Sequence, residues 1–431
     1  MQSEEMTDVL IIGAGVAGLA AWRELYSAGL TSVILEARDR IGGRILTDRS
    51  TTSPIELGAE FVHGKPQALW SILKKARLQV NECSDTRLVS GEGGLRRCPG
   101  YWKIIEKVNK QIDPSREIAY DQFLAAVDAL PFEKLVAKSY VEGFNAARAE
   151  MISASAIAIG DRASAEIDGQ RQFRLSGGYG SLVDWLAADL QSDRLYLRTS
   201  VGEIRWRRGH VEAMADTPGG DIIFSAVRLI VTVPLGVLQA PPGAPGAIQF
   251  VPSLQQKEAA VRRLEMGHAV KLVICFSERF WETNGRFTFV ISFDREMPVW
   301  WTQKPLASNV LTGWAGGSAA EKLIGLPPED LLDRAIQSLA RVFGKPNGWL
   351  RERVDTIHYH DWSHDPFSRG AYSYPKVGGL EAAEALAKPV NDTIFFAGEA
   401  TDFRGANGTV HAALDSGISA ARRIVVAWHR K

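Results

Sequence analysis

Within the first 36 residues an apolar run, VLII (9–12), leads into GAGVAG (13–18), then the helical pattern AAWRELYSAG ending at Gly29, then SVILE (32–36). Strand, glycine turn, helix and strand in that order predict a βαβ unit, with Gly13, Gly15 and Gly18 on G-x-G-x-x-G spacing. Gly13 permits the tight turn, Gly15 lets a pyrophosphate approach the backbone, and Gly18 lets helix and strand pack closely. Free N–H groups at the helix start, where Val16 and Ala17 stand, can meet the phosphate charge. Glu36 closes the second strand about where an acidic side chain binds a ribose hydroxyl, and it would repel a 2′-phosphate, which argues against NADP. A glycine turn can also serve packing alone, but the flanking strands, the helix and Glu36 together favour dinucleotide binding.

The 431 residues are enough for about two to three domains with a large core. A hydrophobic content of 45% with 23% charged residues is ordinary globular composition, which excludes a disordered or fibrous chain. With 50 basic and 50 acidic residues there is no cationic surplus, so no nucleic-acid partner is expected. Cys83, Cys98 and Cys275 form no CxxC pair and no disulfide framework, which reads as a reduced, cytoplasmic protein. The most apolar run, Val9 to Trp22, stops at Arg23, short of the ~20 residues of a spanning helix. The acidic start MQSEEMTD is unlike a signal peptide, and RRIVVAWHRK reads as the end of a helix, so no membrane association is expected.

Beyond the βαβ unit, helical patterns are expected over 66–78, most of 100–150 and 177–190, after the GGYG turn. A β-rich stretch follows: SVGEIRW, GHVEAMA and RLIVTVP (228–234). After the PPGAPGA loop (241–247) come the helix SLQQKEAAVRRL, strands in 268–276 and 286–314, helical stretches at 318–325 and 328–343, and a strand into a turn at TIFFAGEA (393–400). A last helix starts near Thr409, and no internal repeat or low-complexity tract is visible. RLIVTVP and TIFFAGEA look like strands covered on both faces and able to join the N-terminal sheet from a distance. The expectation is an α/β fold with a discontinuous Rossmann-like dinucleotide domain (1–80, 195–265 and 388–431). The rest (81–194 and 266–387) would form an α+β substrate domain with a mixed sheet.

Directly after Glu36, ARDRIGGR (37–44) begins a run of motifs extending over almost the whole chain. They include ELGAEFVHG (56–64), LSGGYGSLVDWL (175–186), TSVGEIRW (199–206), TVPLGVL (232–238), HAVKLVICF (268–276), HDWSHDPFSRGAYSY (360–374), FAGEAT (396–401) and GTVHAALDSG (408–417). In this order they resemble the flavin-containing amine oxidase family, which includes monoamine oxidases, polyamine oxidases and flavin histone demethylases. The resemblance implies FAD in an extended pose, its ADP half gripped by the βαβ unit and bordered by Ala37, Arg38, Gly43 and Arg44. Arg44 is placed to meet the pyrophosphate a second time. Gly58, Ala59, Glu60, Phe61, Val201 and Gly398 would lie along the cofactor, with Glu399 near the ribityl or phosphate region.

Lys271 is the only polar group in the strand pattern AVKLVICF, where alternation places Lys271, Val273 and Cys275 on one face. A buried ammonium is costly, so it snorkels, pairs with a carboxylate or holds a functional water. The resemblance implies the last of these, a water bridging Lys271 to flavin N5. It also implies that Trp362 packs against the isoalloxazine and that Tyr372 forms one wall of an aromatic cage. Ring faces attract a cation on entry and leave an apolar lining. As ordinary core aromatics, these side chains would have no such task.

Two departures from the monoamine oxidases are informative. Thr409 stands where they carry a second cage tyrosine, which opens the cage to a longer substrate, and Ala371 stands where they tether flavin through cysteine. FAD is therefore expected to be non-covalent. By resemblance, the last helix presents the N–H of about Val410 to the flavin pyrimidine and stabilises the anionic reduced ring. His63, in an HG pair like that of animal polyamine oxidases, is the substrate-side candidate beside Tyr372 and Thr409. Asp161, Glu166 and Asp168 fall in a polar stretch and read by default as solvated loop charges. HYHDWSH (358–364) places His358 and His360 on one strand face, but it has no complete ligand set, and no metal is expected.

The implied reaction is oxidation of a C–N bond in a small-molecule amine, with O2 as acceptor and H2O2 as product. Polyamines or their acetylated forms are the favoured substrates. Monoamine oxidase, L-amino-acid oxidase and a non-catalytic flavin scaffold are the alternatives.

Overall fold

Four apolar residues in a row, Val9 to Ile12, leave the strand Thr7–Ile12 without a polar face, so it must be covered on both sides. In the structure, a computed structural model that describes residues 2–3, 6–91, 94–284, 287–293 and 296–429, this is what happens. Val9 and Ile11 pack into one core with the helix Val16–Ser27, and Leu10 and Ile12 face a second core on the opposite side. Ser32–Leu35 pairs in parallel on one edge of this strand, and the long strand Gly220–Val231 takes the other.

Gly220–Val231 is the spine of a nine-stranded sheet. One of its edges carries Gln2–Ser3 and then Thr7–Ile12; the other carries His210–Thr217, antiparallel, and then Ile394–Phe396, parallel. The RLIVTVP and TIFFAGEA strands thus join the N-terminal unit across nearly the whole chain. Ser200–Arg207 and Gln249–Val251 extend the sheet on the antiparallel side. The last helix, Val410–Trp428, lies against Val16–Ser27, so close that a Cβ on Gly417 would sit 2.1 Å from the Ala17 carbonyl oxygen.

A second, seven-stranded sheet runs in the order Val354–Tyr359, Ala269–Phe276, Val310–Gly316, Val299–Thr302, Phe289–Ile291, Arg87–Gly91, Gly94–Arg97. It is mixed, because Phe289–Ile291 and Arg87–Gly91 pair in parallel among antiparallel neighbours. The expected alternation holds. Val270, Leu272, Ile274 and Phe276 pack under the helix Pro328–Phe343, while Val273 and Cys275 lie in a separate cluster with Ile55 and Val310. Helices Tyr101–Asn109 and Pro131–Phe144 pack together beside Ile291, Val89 and Val299 of this sheet. Among the described residues no helix is long and apolar enough to cross a membrane.

Local expectations fail in three places. The stretch 318–325 forms only a 3₁₀ run, Gly317–Lys322. Asp161 and Glu166, read as solvated loop charges, lie in the helix Ala154–Glu166, capped by the Ser153 hydroxyl accepting from the Ala156 N–H. Asp161 is therefore not a solvated loop charge: it accepts a hydrogen bond from Asn109 Nδ2 at 2.8 Å, and burial raises its pKa. Finally, the strand holding His358 ends at Tyr359, so His360 lies beyond it.

Candidate active site

One long cavity runs from the glycine turn, between the two sheets, to a cluster of aromatic side chains. It encloses about 2360 Å³ of empty space, counting its open mouth. At one end are Gly13, Gly15, Val16, Ala17, Glu36, Ala37, Arg38, Gly43 and Val201. Arg44, Gly58, Ala59, Glu60, Lys271, Trp362, Gly398, Glu399, Thr409 and Val410 follow, and then Phe61, His63 and Tyr372. Every expected site residue lines this space except Gly18. A Cβ on Gly18 would lie 1.9 Å from the Gly13 carbonyl oxygen, so its task is helix–strand packing and not ligand contact.

The nucleotide end is shaped by backbone. Gly13 has φ +104° and Gly43 φ +59°, and a Cβ on Gly43 would come 3.2 Å from Gly15 Cα. The helix Val16–Ser27 starts at Gly15 with no side chain capping it, which leaves its first N–H groups to the cavity. Glu36 is buried, its Oε2 accepting from the Ala14 N–H at 2.8 Å and its Oε1 from the Arg38 N–H at 2.9 Å. Arg38 is locked in turn onto Asp365 Oδ1 (2.8 Å) and Ser368 Oγ (2.9 Å). A glycine-lined cleft, an uncapped helix start and a fixed acidic group form a cradle that fits the phosphates and ribose of FAD.

The middle of the cavity is a buried charge cluster. Lys271 Nζ lies 2.7 Å from Glu60 Oε2 and donates to the Gly58 carbonyl at 3.1 Å; the two side chains are only 3% and 7% exposed. Glu60 also accepts from Arg174 (Nη2, 2.6 Å; Nε, 3.0 Å) and from Trp301 Nε1 (3.1 Å). Burial alone would raise the Glu60 pKa, but Lys271 and Arg174 outweigh it and hold the carboxyl below its ordinary value. Lys271 therefore does not snorkel. It has three N–H donors, two of them engaged, and one remains for the cavity it lines.

Trp362 donates from Nε1 to the Leu57 carbonyl (2.8 Å) and abuts Gly58, where a Cβ would lie 3.2 Å from its ring. Tyr372 O–H donates to the Phe144 carbonyl (2.7 Å), and its ring lies against Gly408. Thr409 caps the last helix: its hydroxyl accepts from the Ala412 N–H (3.1 Å) and donates to the Ala406 carbonyl (2.6 Å). That hydroxyl is already used twice, so it gives the cavity shape more than polarity. Glu399 accepts from Arg44 (2.9 Å), Ser373 Oγ (2.7 Å) and the Gly408 N–H (2.9 Å), which ties the last helix to the GGR segment. His63 packs edge-on to Phe144, and burial lowers its pKa to about 4, helped by His411 and Arg87. It is neutral at physiological pH.

The three histidines of HYHDWSH hold three different aspartates, His358 with Asp48, His360 with Asp365 and His364 with Asp361, at 2.8–2.9 Å. The described residues contain no metal-type cluster. Sequence reasoning missed Arg174, Gln172 and Arg87, brought to the site by strand pairing between distant segments, and Trp301, brought there by pairing with its neighbouring strands. The only available signal was an arginine or glutamine inside a short apolar strand pattern.

A family model described as flavin containing amine oxidoreductase matches residues 16–425. Polyamine oxidase 3 of Oryza sativa subsp. japonica is 30% identical over 457 residues, covering 96% of this chain and 88% of that protein. Protein FLOWERING LOCUS D of Arabidopsis thaliana is 28% identical over 449 residues, covering 96% of this chain and 55% of that protein. The chain thus spans a little over half the length of FLOWERING LOCUS D. A putrescine oxidase structure with putrescine bound superposes with a TM-score of 0.83 at 21% identity, over 99% of this chain and 100% of the other, which establishes a shared fold.

Proposed function

The chain belongs to the flavin containing amine oxidoreductase family, and on that premise we propose that it is an FAD-dependent amine oxidase acting on small aliphatic amines of the polyamine type. Bound FAD supplies the redox chemistry, accepting a hydride from the carbon beside the amine nitrogen and passing the electrons to O2, which yields H2O2. Water then hydrolyses the oxidised substrate to a carbonyl compound and a smaller amine.

The observation that carries the reading is the Lys271–Glu60–Gly58 arrangement at the centre of the cavity. Glu60 and the Gly58 carbonyl fix the ammonium, so its remaining N–H can hold a water beside the reacting centre without searching for a geometry. Arg174 keeps Glu60 ionised, and that in turn keeps Lys271 paired. The glycine cradle and Glu36 would hold the ADP half of FAD, with Arg44 near the pyrophosphate. Trp362 would support the ring system, and the start of the helix Val410–Trp428 would offer its N–H groups to it. We place FAD non-covalently, because Ala371 precedes Tyr372 and none of the three cysteines lines the cavity.

Tyr372, Phe61, Phe144, Phe289 and Trp301 supply the apolar, aromatic wall for the substrate. Desolvation there lowers the pKa of a bound ammonium and favours the neutral amine that can be oxidised. Aromatic monoamines fit the same wall and are the second reading. Anaerobic mixing of the FAD-loaded protein with amines tests the proposal: the visible flavin band should bleach with the right amine. Persistent colour with polyamines, acetylated polyamines and monoamines alike would overturn it.

A further inference from the structure

Beyond Lys271 the cavity continues past Trp301, Phe61 and Phe289, whose rings lie 5.7 and 5.8 Å apart in sequence of contact, and reaches Arg87. Arg87 is opposite Phe289 in the sheet register, and its guanidinium is 4.5 Å from the ring of Phe289, 4.6 Å from Tyr101 and 4.7 Å from Trp102. Its Nε donates to Asp85 Oδ1 at 2.6 Å, while its Nη2 is buried with no hydrogen-bond partner among the described residues. The residue is 7% exposed.

Among the described residues three more cavity-lining side chains have a buried polar atom without a partner: Gln172 Oε1, His63 Nδ1 and Trp102 Nε1. Gln172 is 8% exposed and pairs directly across from His63. Buried polar groups are rarely left unpaired, so several in one cavity point to a polar ligand group there. Each carboxylate lining the cavity is already engaged by partners of its own. Glu36 is held by Ala14 and Arg38, Glu60 by Lys271 and Arg174, and Glu399 by Arg44, Ser373 and Gly408. Among the described residues no further Asp or Glu lines it, and Asp161 is bonded to Asn109 outside it.

We propose that Arg87 selects substrates bearing an oxygen acceptor, a carboxylate or an acylamide, at the end remote from the oxidised amine. This rests on the amine-oxidase reading and narrows its substrate class. A free distal ammonium would meet a guanidinium whose one carboxylate partner, Asp85, is already paired with it and does not line the cavity, whereas an acyl oxygen accepts from Arg87 Nη2. An acylamide has in addition an N–H that Gln172 Oε1 can accept, which a carboxylate lacks. Arg87 is then a specificity-determining residue and not part of the redox machinery.

The test uses FAD-loaded protein and four amines of matched length: n-butylamine, 1,4-diaminobutane, its mono-N-acetyl form and 4-aminobutanoate. The acetylated amine or the amino acid should exceed the diamine in kcat/KM by about tenfold or more; the better of the two identifies the acceptor, and either supports the proposal. Arg87→Met should remove this preference while n-butylamine changes by less than about threefold. A diamine used as well as the acylated forms, or an equal loss on all four amines in a variant with full flavin content, would overturn it. Should Arg87→Met fail to accumulate as yellow protein, Gln172→Met, expected to weaken the acetylated amine selectively, and the wild-type order decide. Calorimetry with N-butylacetamide and butanoate separates the two layers of inference. Binding heat that Arg87→Met or Arg87→Lys reduces upholds the acceptor site even if no amine bleaches the flavin. No heat with either ligand overturns the site even if n-butylamine is oxidised.

Discussion

Lys271 and Glu60 are 211 positions apart in the chain and 2.7 Å apart in the fold, with Arg174 on the other oxygen of the same carboxylate. The cluster therefore holds two cations for one anion in a space largely closed to water. Its tolerance of substitution should be asymmetric.

Removing the anion is the more damaging change. Glu60→Gln leaves two buried cations facing an amide and should cost roughly 3–5 kcal/mol of stability. Lys271→Met leaves Glu60 held by Arg174 and Trp301 and should cost only about 1–3 kcal/mol, while slowing amine oxidation by about tenfold or more. Urea unfolding of both variants beside stopped-flow flavin bleaching measures the two effects; a Lys271→Met protein less stable than Glu60→Gln would contradict the assignment.

Glu56 predicts a pH signature of stability. Burial raises its pKa from 4.5 to about 7, against the pull of Thr47, Tyr179 and Lys271. Between those pH values the folded chain holds a proton that the unfolded chain has lost, so this group's contribution to stability falls as pH rises, by up to about 3 kcal/mol in all. His63 and His411 act in the opposite sense, because burial lowers each to about 4 from 6.5 and stability gained from them rises over that range. Glu56→Gln should remove only the falling component. Melting temperatures at intervals from pH 4.5 to 8 should show the variant gaining on wild type as pH increases, and parallel curves would refute the shift.

Turnover at saturating amine should rise with pH through a single ionisation. Burial lowers the His63 pKa to about 4, so that histidine is not the titrating group, and the proposed function assigns the ionisation to the bound amine. His63→Asn should leave the midpoint in place. A midpoint that moves with this substitution, or a flat profile from neutral to alkaline pH, would show that amine deprotonation is not what the profile reports.

Gly417→Ala tests the contact between the first and last helices. Its Cβ would meet the Ala17 carbonyl at 2.1 Å, so the two helices must separate. We expect a loss of roughly 1–3 kcal/mol and weaker FAD retention on gel filtration, because Val16 and Ala17 line the nucleotide end. Full retention and an unchanged melting temperature would mean that the contact relaxes elsewhere.

Local chemistry explains what could be read in advance. G-x-G-x-x-G between apolar runs fixes the βαβ unit because few other conformations use glycines at those positions, and a lone lysine in an alternating strand shows its own anomaly. Partners brought in by strand register are another matter. That Glu60 faces Lys271 depends on where the ELGAEF segment crosses the second sheet. Gln172 reaches the cavity only because its strand pairs with both Val62–His63 and Val80–Cys83. The helix Ala154–Glu166 escaped notice because its alanines, serines and glycine form no clear apolar stripe; Ser153 at its cap was the one usable cue.

The spine strand Gly220–Val231 has a consequence for biosynthesis. Its final edge is filled by Ile394–Phe396, and the same late segment brings Glu399, Thr409 and Val410 to the cavity. A nascent chain can assemble most of both sheets on the ribosome and still lack one flank of the compartment. On the proposed function, a product that stops short of that segment should emerge colourless even if most of it has folded, because one wall of the compartment is still missing.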